Sequence, residues 1–149
     1  MKVLETLKEK LGERIKDIKI HNERRIYLTV EAGDIKECAK IVFRELDARY
    51  IIASGADNFD SFEILYHFGF DSIGTVISLR VFLARENPGI DSLSDVIPGI
   101  SYIEREMWEL LGINFAGHPG LSHFLLRDDW PEGNFPLRKS IKTDGANSE

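Results

Sequence analysis

Along the chain, apolar residues recur at two different periods, and the switches between them mark the elements. Val3, Leu4, Leu7 and Leu11 fall at helical spacing and Gly12 follows, which predicts a short first helix with a glycine stop. "RIKDIKIHN" and "RRIYLTVEA" read as two strands, the second alternating through Ile26, Leu28 and Val30, joined by a hairpin over His21 to Arg24. Asp34 followed by Glu37 is a capping pair, and Ile35, Cys38, Ala39, Val42, Phe43 and Leu46 make one apolar stripe for a second helix. "YIIASGAD" begins a further strand. "SFEILYHFGF" and "TVISLRVFLA" form an antiparallel pair turning around Phe70 to Gly74. Phe62, Ile64, Tyr66 and Phe68 lie on one side of the first, and Val76, Ser78, Arg80 and Phe82 on one face of the second.

After "ENPGIDSLSDVIPG" the period returns to helical. Ser101 is a cap candidate, Ile103, Met107, Leu110 and Leu111 face the core, and Gly112 supplies a left-handed stop. Beyond it, "INFAGHPGLSHFLLRDDWPEGNFPLRKS" interrupts every apolar cluster with glycine or proline, so neither a long helix nor a regular strand is predicted. Phe115, Leu121, Phe124, Leu125, Leu126, Trp130, Phe135 and Leu137 are too apolar for a free tail and need this domain or a partner to cover them. "KTDGANSE" is expected to fray. The sum is an α+β fold: an antiparallel sheet covered by helices on one face, then an irregular C-terminal extension. Residues 1–126 form a single domain, and 127–149 an extended docking arm with a frayed tail.

Composition narrows the function classes. A length of 149 residues suits one domain. A formal net charge of -6 argues against a nucleic-acid partner, which needs a basic surface. No apolar run approaches the ~20 residues of a spanning helix. The opening "MKVLETLKEKLGERIK" lacks the apolar core of a signal peptide, so a cytoplasmic protein without direct membrane insertion is expected. Cys38, alone, cannot hold an iron-sulfur cluster or structural zinc and reads as a small buried apolar residue. No Gly-x-Ser-x-Gly elbow, phosphate loop or dinucleotide glycine fingerprint occurs.

Candidate chemistry concentrates in "EREMWELLGINFAGHPG". Glu104, Arg105, Glu106 and Glu109 share about one and a half helical turns, and Arg105 is spaced i, i+4 from Glu109. Ion pairing, within the domain or across an interface, competes with an acid/base reading in which Glu104 or Glu106 works with His118 as a small independent hydrolase. A free-standing protein-binding adaptor is a third possibility. His118 and His123 do not fall at a metal-pair spacing. "RDDWPEGNFPLRK" interleaves Arg127, Arg138 and Lys139 with Asp128, Asp129, Trp130 and Pro136. Trp and Arg are the types enriched at interface hot spots, and a clasp returning to its own domain would use the same residues.

"YHF", "YIEREMWELLGINFAGHP" and "DWPEGNFPLRK", in that order, resemble the 30 kDa subunit family of complex I, the respiratory NADH:quinone oxidoreductase. They are similar also to the related subunits of energy-converting membrane-bound nickel-iron hydrogenases. The resemblance runs from about Phe62 to Lys139. Glu104, Arg105, Glu106, Glu109, Leu110 to Ile113 and Gly117 to Pro119 agree with the family's helix and loop, and Asp129, Trp130 and Pro136 to Lys139 with its tail. Departures fall at Trp108, at Glu109 where respiratory members more often have aspartate, and at Ser122, His123 and Phe124. With the short N-terminal region, they tilt the expectation toward a hydrogenase-like or archaeal-type complex.

The resemblance implies a non-catalytic, cofactor-free subunit, peripheral to the inner face of the cell membrane. Its expected partners are the large catalytic-type subunit and the small iron-sulfur subunit, with iron-sulfur clusters and a flavin or nickel-iron centre in those chains. The implied interface residues are Glu104, Arg105, Glu106, Glu109, His118, Pro119, Asp129, Trp130, Pro136, Leu137, Arg138 and Lys139. The chain up to about Leu126 is expected on its own domain, and Trp130 through Lys139 outward, with Trp130 as apolar anchor and Arg138 as its charged partner.

Overall fold

Leu4, Leu7 and Leu11 are buried along one stripe of α1 (Lys2–Leu11), the first element of a computed structural model that describes residues 2–139. Gly12, at φ +57°, ends it, a conformation that suits glycine because it has no Cβ. β1 (Ile15–Asn22) and β2 (Arg25–Val30) form the expected antiparallel hairpin. Asn22 Oδ1 accepts the Arg24 backbone N–H at 2.8 Å to close the turn. α2 (Ile35–Lys40) continues as a π-helical turn over Ile41–Glu45 and buries Ile35, Cys38, Ala39, Ile41 and Val42. Burial pushes the Cys38 thiol up to about 11, as befits an inert packing residue.

Two expected caps are not formed. Asp34 makes no side-chain cap bond, because the 3₁₀ turn Ala32–Asp34 precedes α2 and already holds Asp34 at φ -100°, ψ -5°. A bonding cap residue sits instead in the β region. Ser101 is likewise the first residue of α3 (Ser101–Leu111), following the 3₁₀ turn Pro98–Ile100. In both places the backbone of a tighter turn does what a side-chain cap was expected to do.

β3 (Arg49–Asp57), β4 (Ser61–Phe70) and β5 (Thr75–Ala84) make an antiparallel meander, and the five-stranded order is β1-β2-β5-β4-β3. Phe62, Ile64, Tyr66 and Phe68 on β4 pair in register with Leu83, Val81, Leu79 and Ile77 on β5. All eight are buried with Ile26, Leu28 and Val30 against the three helices. The α+β class with helices on one face is as the periodicity predicts, except that β2 and β5 are parallel. α2 carries the chain from β2 to the far edge, and the meander returns it to the centre with β5 pointing along β2. Local hairpin signals specify antiparallel neighbours only. The uncovered face is stitched by polar and aromatic neighbours: Arg80 stacks over Tyr27, and His67 Nδ1 lies 2.6 Å from Ser78 Oγ.

β6 (Gly89–Asp91) and β7 (Asn114–Ala116) form a small parallel pair outside the main sheet, and β7 is the only regular structure after Gly112 among the described residues. Gly55 lets α3 approach β3 closely. A Cβ there would lie 2.9 Å from Leu111 Cδ1 and 3.0 Å from Met107 Sδ. Gly55→Val is expected to lift α3 from the sheet and cost about 1–3 kcal/mol. Urea denaturation measures this, and an unchanged midpoint would show that α3 is not seated on Gly55.

Candidate docking site

Met107 and Leu111 bury one side of α3, and Gly112 terminates it at φ +75°. The same helix carries two carboxylates into the interior. Glu104 is fully buried: Ser92 Oγ donates to Oε1 at 2.6 Å and the Leu93 N–H to Oε2 at 3.0 Å. Burial raises its pKa, against which the bonds from Ser92 and Leu93 act. Glu106, by contrast, is half-buried and accepts no hydrogen bond among the described residues.

Glu109, 2% exposed, accepts the backbone N–H groups of Phe124 at 2.9 Å, Leu125 at 2.6 Å and Leu126 at 3.4 Å, with His123 Nδ1 at 3.2 Å. Burial alone would push this carboxyl up. The Phe124, Leu125, His123 and Leu126 donors outweigh it and hold the carboxyl below its ordinary value. Arg105 does not pair with Glu109. Its Nε donates to the Ser122 carbonyl at 3.1 Å and its Nη2 to the His123 carbonyl at 2.9 Å, while its guanidinium stacks over Phe124. Acid and base one turn apart thus grip the same loop, one by its N–H groups and the other by its carbonyls. The i, i+4 pair gives way because a bent, strand-free loop has backbone groups to satisfy on both sides.

His118 Nε2 donates to the Ser101 carbonyl at 3.0 Å and its Nδ1 accepts the Gly120 N–H at 3.0 Å, which ties the loop to the start of α3, with Pro119 exposed beside it. Glu104 and His118 each spend their hydrogen bonds on other groups, and among the described residues none joins Glu104 or Glu106 to His118, although His118 lies near enough for its charge to favour the ionised form of Glu104. Nor does the chain from Trp130 to Lys139 reach outward. The Leu137 N–H donates to Leu110 O at 3.0 Å, and Arg138 Nε to Leu111 O at 2.6 Å, a cation meeting the free carbonyls of a helix C-terminus. Arg138 stacks on Phe135 and Phe62 rather than serving Trp130, whose Nε1 donates to Asn134 O at 2.7 Å. Asp129 is exposed and pairs with Arg127 at 3.3 Å; Pro136 is exposed. The expected frayed stretch "KTDGANSE" and the end of the 127–149 arm lie outside the described residues.

The tail is pinned at its far end by a residue that periodicity could not single out. Asp57, at the end of β3, accepts the Lys139 N–H at 2.8 Å and the Phe59 N–H at 2.8 Å, and it forms a two-pronged ion pair with Arg85. Arg85 outweighs the opposing effect of burial and, with the Lys139 and Phe59 N–H groups, holds the carboxyl at about 2. Sequence reasoning missed Asp57, Arg85 and Ser92. Their partners lie far along the chain, and no spacing rule connects them.

The sequence profile described as respiratory-chain NADH dehydrogenase, 30 Kd subunit, matches residues 28–147. The chain belongs to that family. The C subunit of F(420)H(2) dehydrogenase from Methanosarcina mazei is 33% identical over 143 residues, 94% of this chain and 90% of that one. The beta subunit of the membrane-bound hydrogenase from Pyrococcus furiosus is 33% identical over 123 residues, covering 79% and 70%. The C subunit of NADH-quinone oxidoreductase from Chloroherpeton thalassium is 29% identical over 142 residues, but the chain spans only 58% of it, and only 45% of its Roseiflexus castenholzii counterpart. A chain in the structure of an archaeal membrane-bound sulfane sulfur reductase superposes with a TM-score of 0.77 at 19% identity, covering 92% of this chain and 82% of that one. A trypsin-resistant fragment of Nqo5 superposes with a TM-score of 0.65 at 21% identity, covering 81% and 100%. These two show a shared fold. Among the described residues of this 30 Kd family member, no helix is long and apolar enough to cross a membrane.

The two buried carboxylates should oppose each other in pH. Glu109, with its pKa lowered from 4.5, contributes stability above pH ~4.5 that is lost as pH falls through the folded value. Glu104, with its pKa raised from 4.5, costs stability as pH rises from there through its folded value. Glu109→Gln is expected to lose about 2–4 kcal/mol at pH 7, since hydrogen bonds to a charged acceptor are the strong ones. In denaturant titrations from pH 7 to about pH 3, that deficit should shrink below pH 4.5. A deficit constant across the range would mean that the charge does not hold the loop.

Proposed function

We propose that this chain is a non-catalytic, cofactor-free subunit of a membrane-associated electron-transfer complex of the complex I or energy-converting hydrogenase kind. It docks on the large catalytic partner beside the small iron-sulfur subunit at the inner face of the membrane. Iron-sulfur clusters, and a flavin or nickel-iron centre, reside in those neighbours, and the assembled complex couples electron transfer to ion translocation.

The observation that carries this reading is the loop gripped by Glu109 and Arg105. Its backbone is bonded inward, yet it leaves Phe124 44% and Leu125 59% exposed, next to Tyr102, whose ring lies 5.5 Å from Phe124. A rigidly held loop that presents apolar side chains to water favours a partner surface over a mobile lid. The relatives support it in another way. They are named for an NADH-quinone oxidoreductase, an F(420)H(2) dehydrogenase and a membrane-bound hydrogenase, three different redox chemistries. A part common to all three serves what they share, which is architecture. Glu104 is sealed, and half-buried His118 has both ring nitrogens bonded to backbone groups, which favours this over an independent hydrolase.

Phe124→Ser with Leu125→Ser removes exposed apolar surface and the Arg105 stack on Phe124, and leaves the loop's backbone hydrogen bonds to Glu109 and Arg105 in place. The tagged double variant, expressed in its own cells, is expected to melt within a few degrees of the parent and to lose its partner subunits on gentle detergent purification. Retention of all partners would refute docking through this loop.

A further inference from the structure

A cavity of about 330 Å³ lies between α3 and the tail. Its walls include Trp108, Trp130, Phe135 and His123, and its acidic groups are Glu109 and Glu132; among the described residues no lysine or arginine lines it. Both tryptophans of the chain are here. We propose that this cavity is a binding site for a basic side chain, a guanidinium or ammonium group presented by a partner chain.

The chemistry follows from the walls. The faces of indole and phenyl rings carry negative partial charge and attract cations, most strongly where water is excluded. The aromatic walls are held in place. The Trp130 indole is fixed by its Nε1–H bond to Asn134 O at 2.7 Å, within a turn closed by the Asn134 N–H on Pro131 O. The Trp108 and His123 rings lie 5.5 Å apart, tilted by 40°. Preorganised rings lose little entropy on binding. Exposed Glu132 adds a carboxylate that a guest can meet, while Glu109, sealed behind the loop with both oxygens taken by the loop N–H groups and His123, adds negative potential without touching the guest. An anion would face both acids, and a neutral guest would use the rings but gain nothing from the charges. Arg138 stacks on Phe135, but its guanidinium donates to the Leu111 and Gly112 carbonyls and leaves the cavity unfilled. A single arginine or lysine head group fits the volume, which is at the small end for a ligand site.

The partner as source of the cation rests on the docking reading above; the charge selectivity of the cavity does not. Because the chain's tryptophans both line the cavity, intrinsic fluorescence reads occupancy directly on the isolated protein. At constant ionic strength it is titrated with acetyl-arginine amide, the neutral isostere acetyl-citrulline amide, and tetramethylammonium. A saturable change is expected with the arginine derivative, about tenfold weaker with citrulline. Glu132→Gln, an exposed and structurally neutral change, is expected to weaken arginine binding about threefold to tenfold, and Trp130→Leu to abolish it with circular dichroism unchanged. Equal binding of citrulline and arginine derivatives, or no saturable response, would overturn the proposal. Tetramethylammonium binding more tightly than the arginine derivative would also overturn it, in favour of a small-molecule quaternary ammonium site. Loss of partners in the Phe124/Leu125 variant bears only on docking, and absence of cation selectivity bears only on this cavity, so the two readings fail separately.

Discussion

One buried carboxylate organises the part of this protein that regular structure cannot. Glu109 takes three consecutive backbone N–H groups out of water and fixes the path of residues 123–126. A loop that neither pairs with a strand nor coils into a helix still has to satisfy its polar backbone, and an anion with several lone pairs does so from one position. Arg105 supplies the complementary donors for the carbonyls just before it. The rest of the C-terminal segment repeats the device: Arg138 serves the carbonyls that end α3, and Asp57 serves Lys139.

These charges are therefore internal fasteners, and that changes what the surface offers. Once Glu104, Glu109, Arg105 and Arg138 are turned to the backbone, the outward face around α3 is defined by Tyr102, Phe124, Leu125 and Leu137, all exposed, with Trp108 and Trp130 half-buried beside them. Apolar display on a scaffold held by charge-assisted bonds is well suited to recognition, because the display side gives up little freedom on binding. The tail contributes to the same scaffold. Phe135 and Arg138 fill the space over Gly112 that a Cβ would occupy, so the helix stop and the clasp require one another.

The sheet provides the foundation. α3 can seat Met107 and Leu111 against β3 because Gly55 presents no side chain there. Asp57, at the end of that strand, then receives the returning tail. Strand β3 thus positions both the helix and the clasp, although it is an edge strand with a largely exposed outer surface.

Periodicity alone determined α1, the β1–β2 hairpin, the β4–β5 pairing, the apolar stripe of α2, the Met107 and Leu111 side of α3 though not the core placement expected of Leu110, and the left-handed stops at Gly12 and Gly112. Such features depend on residues within a few positions of one another, where burial and backbone sterics act locally. The irregular character of the chain after Gly112 was legible for the same reason, and the ordered motifs of the helix, loop and tail were enough to suggest the family. Tertiary structure decided the rest. The parallel β2–β5 junction, the replacement of the Asp34 and Ser101 caps by 3₁₀ turns, the burial of Glu104 and Glu109, and the homeward course of Arg138 and Lys139 all depend on which distant groups meet. A glutamate on a helix reads the same whether water or three loop N–H groups will face it. The hydrogen bonds that settle the matter join residues 15–17 positions apart, and only packing determines which of them form.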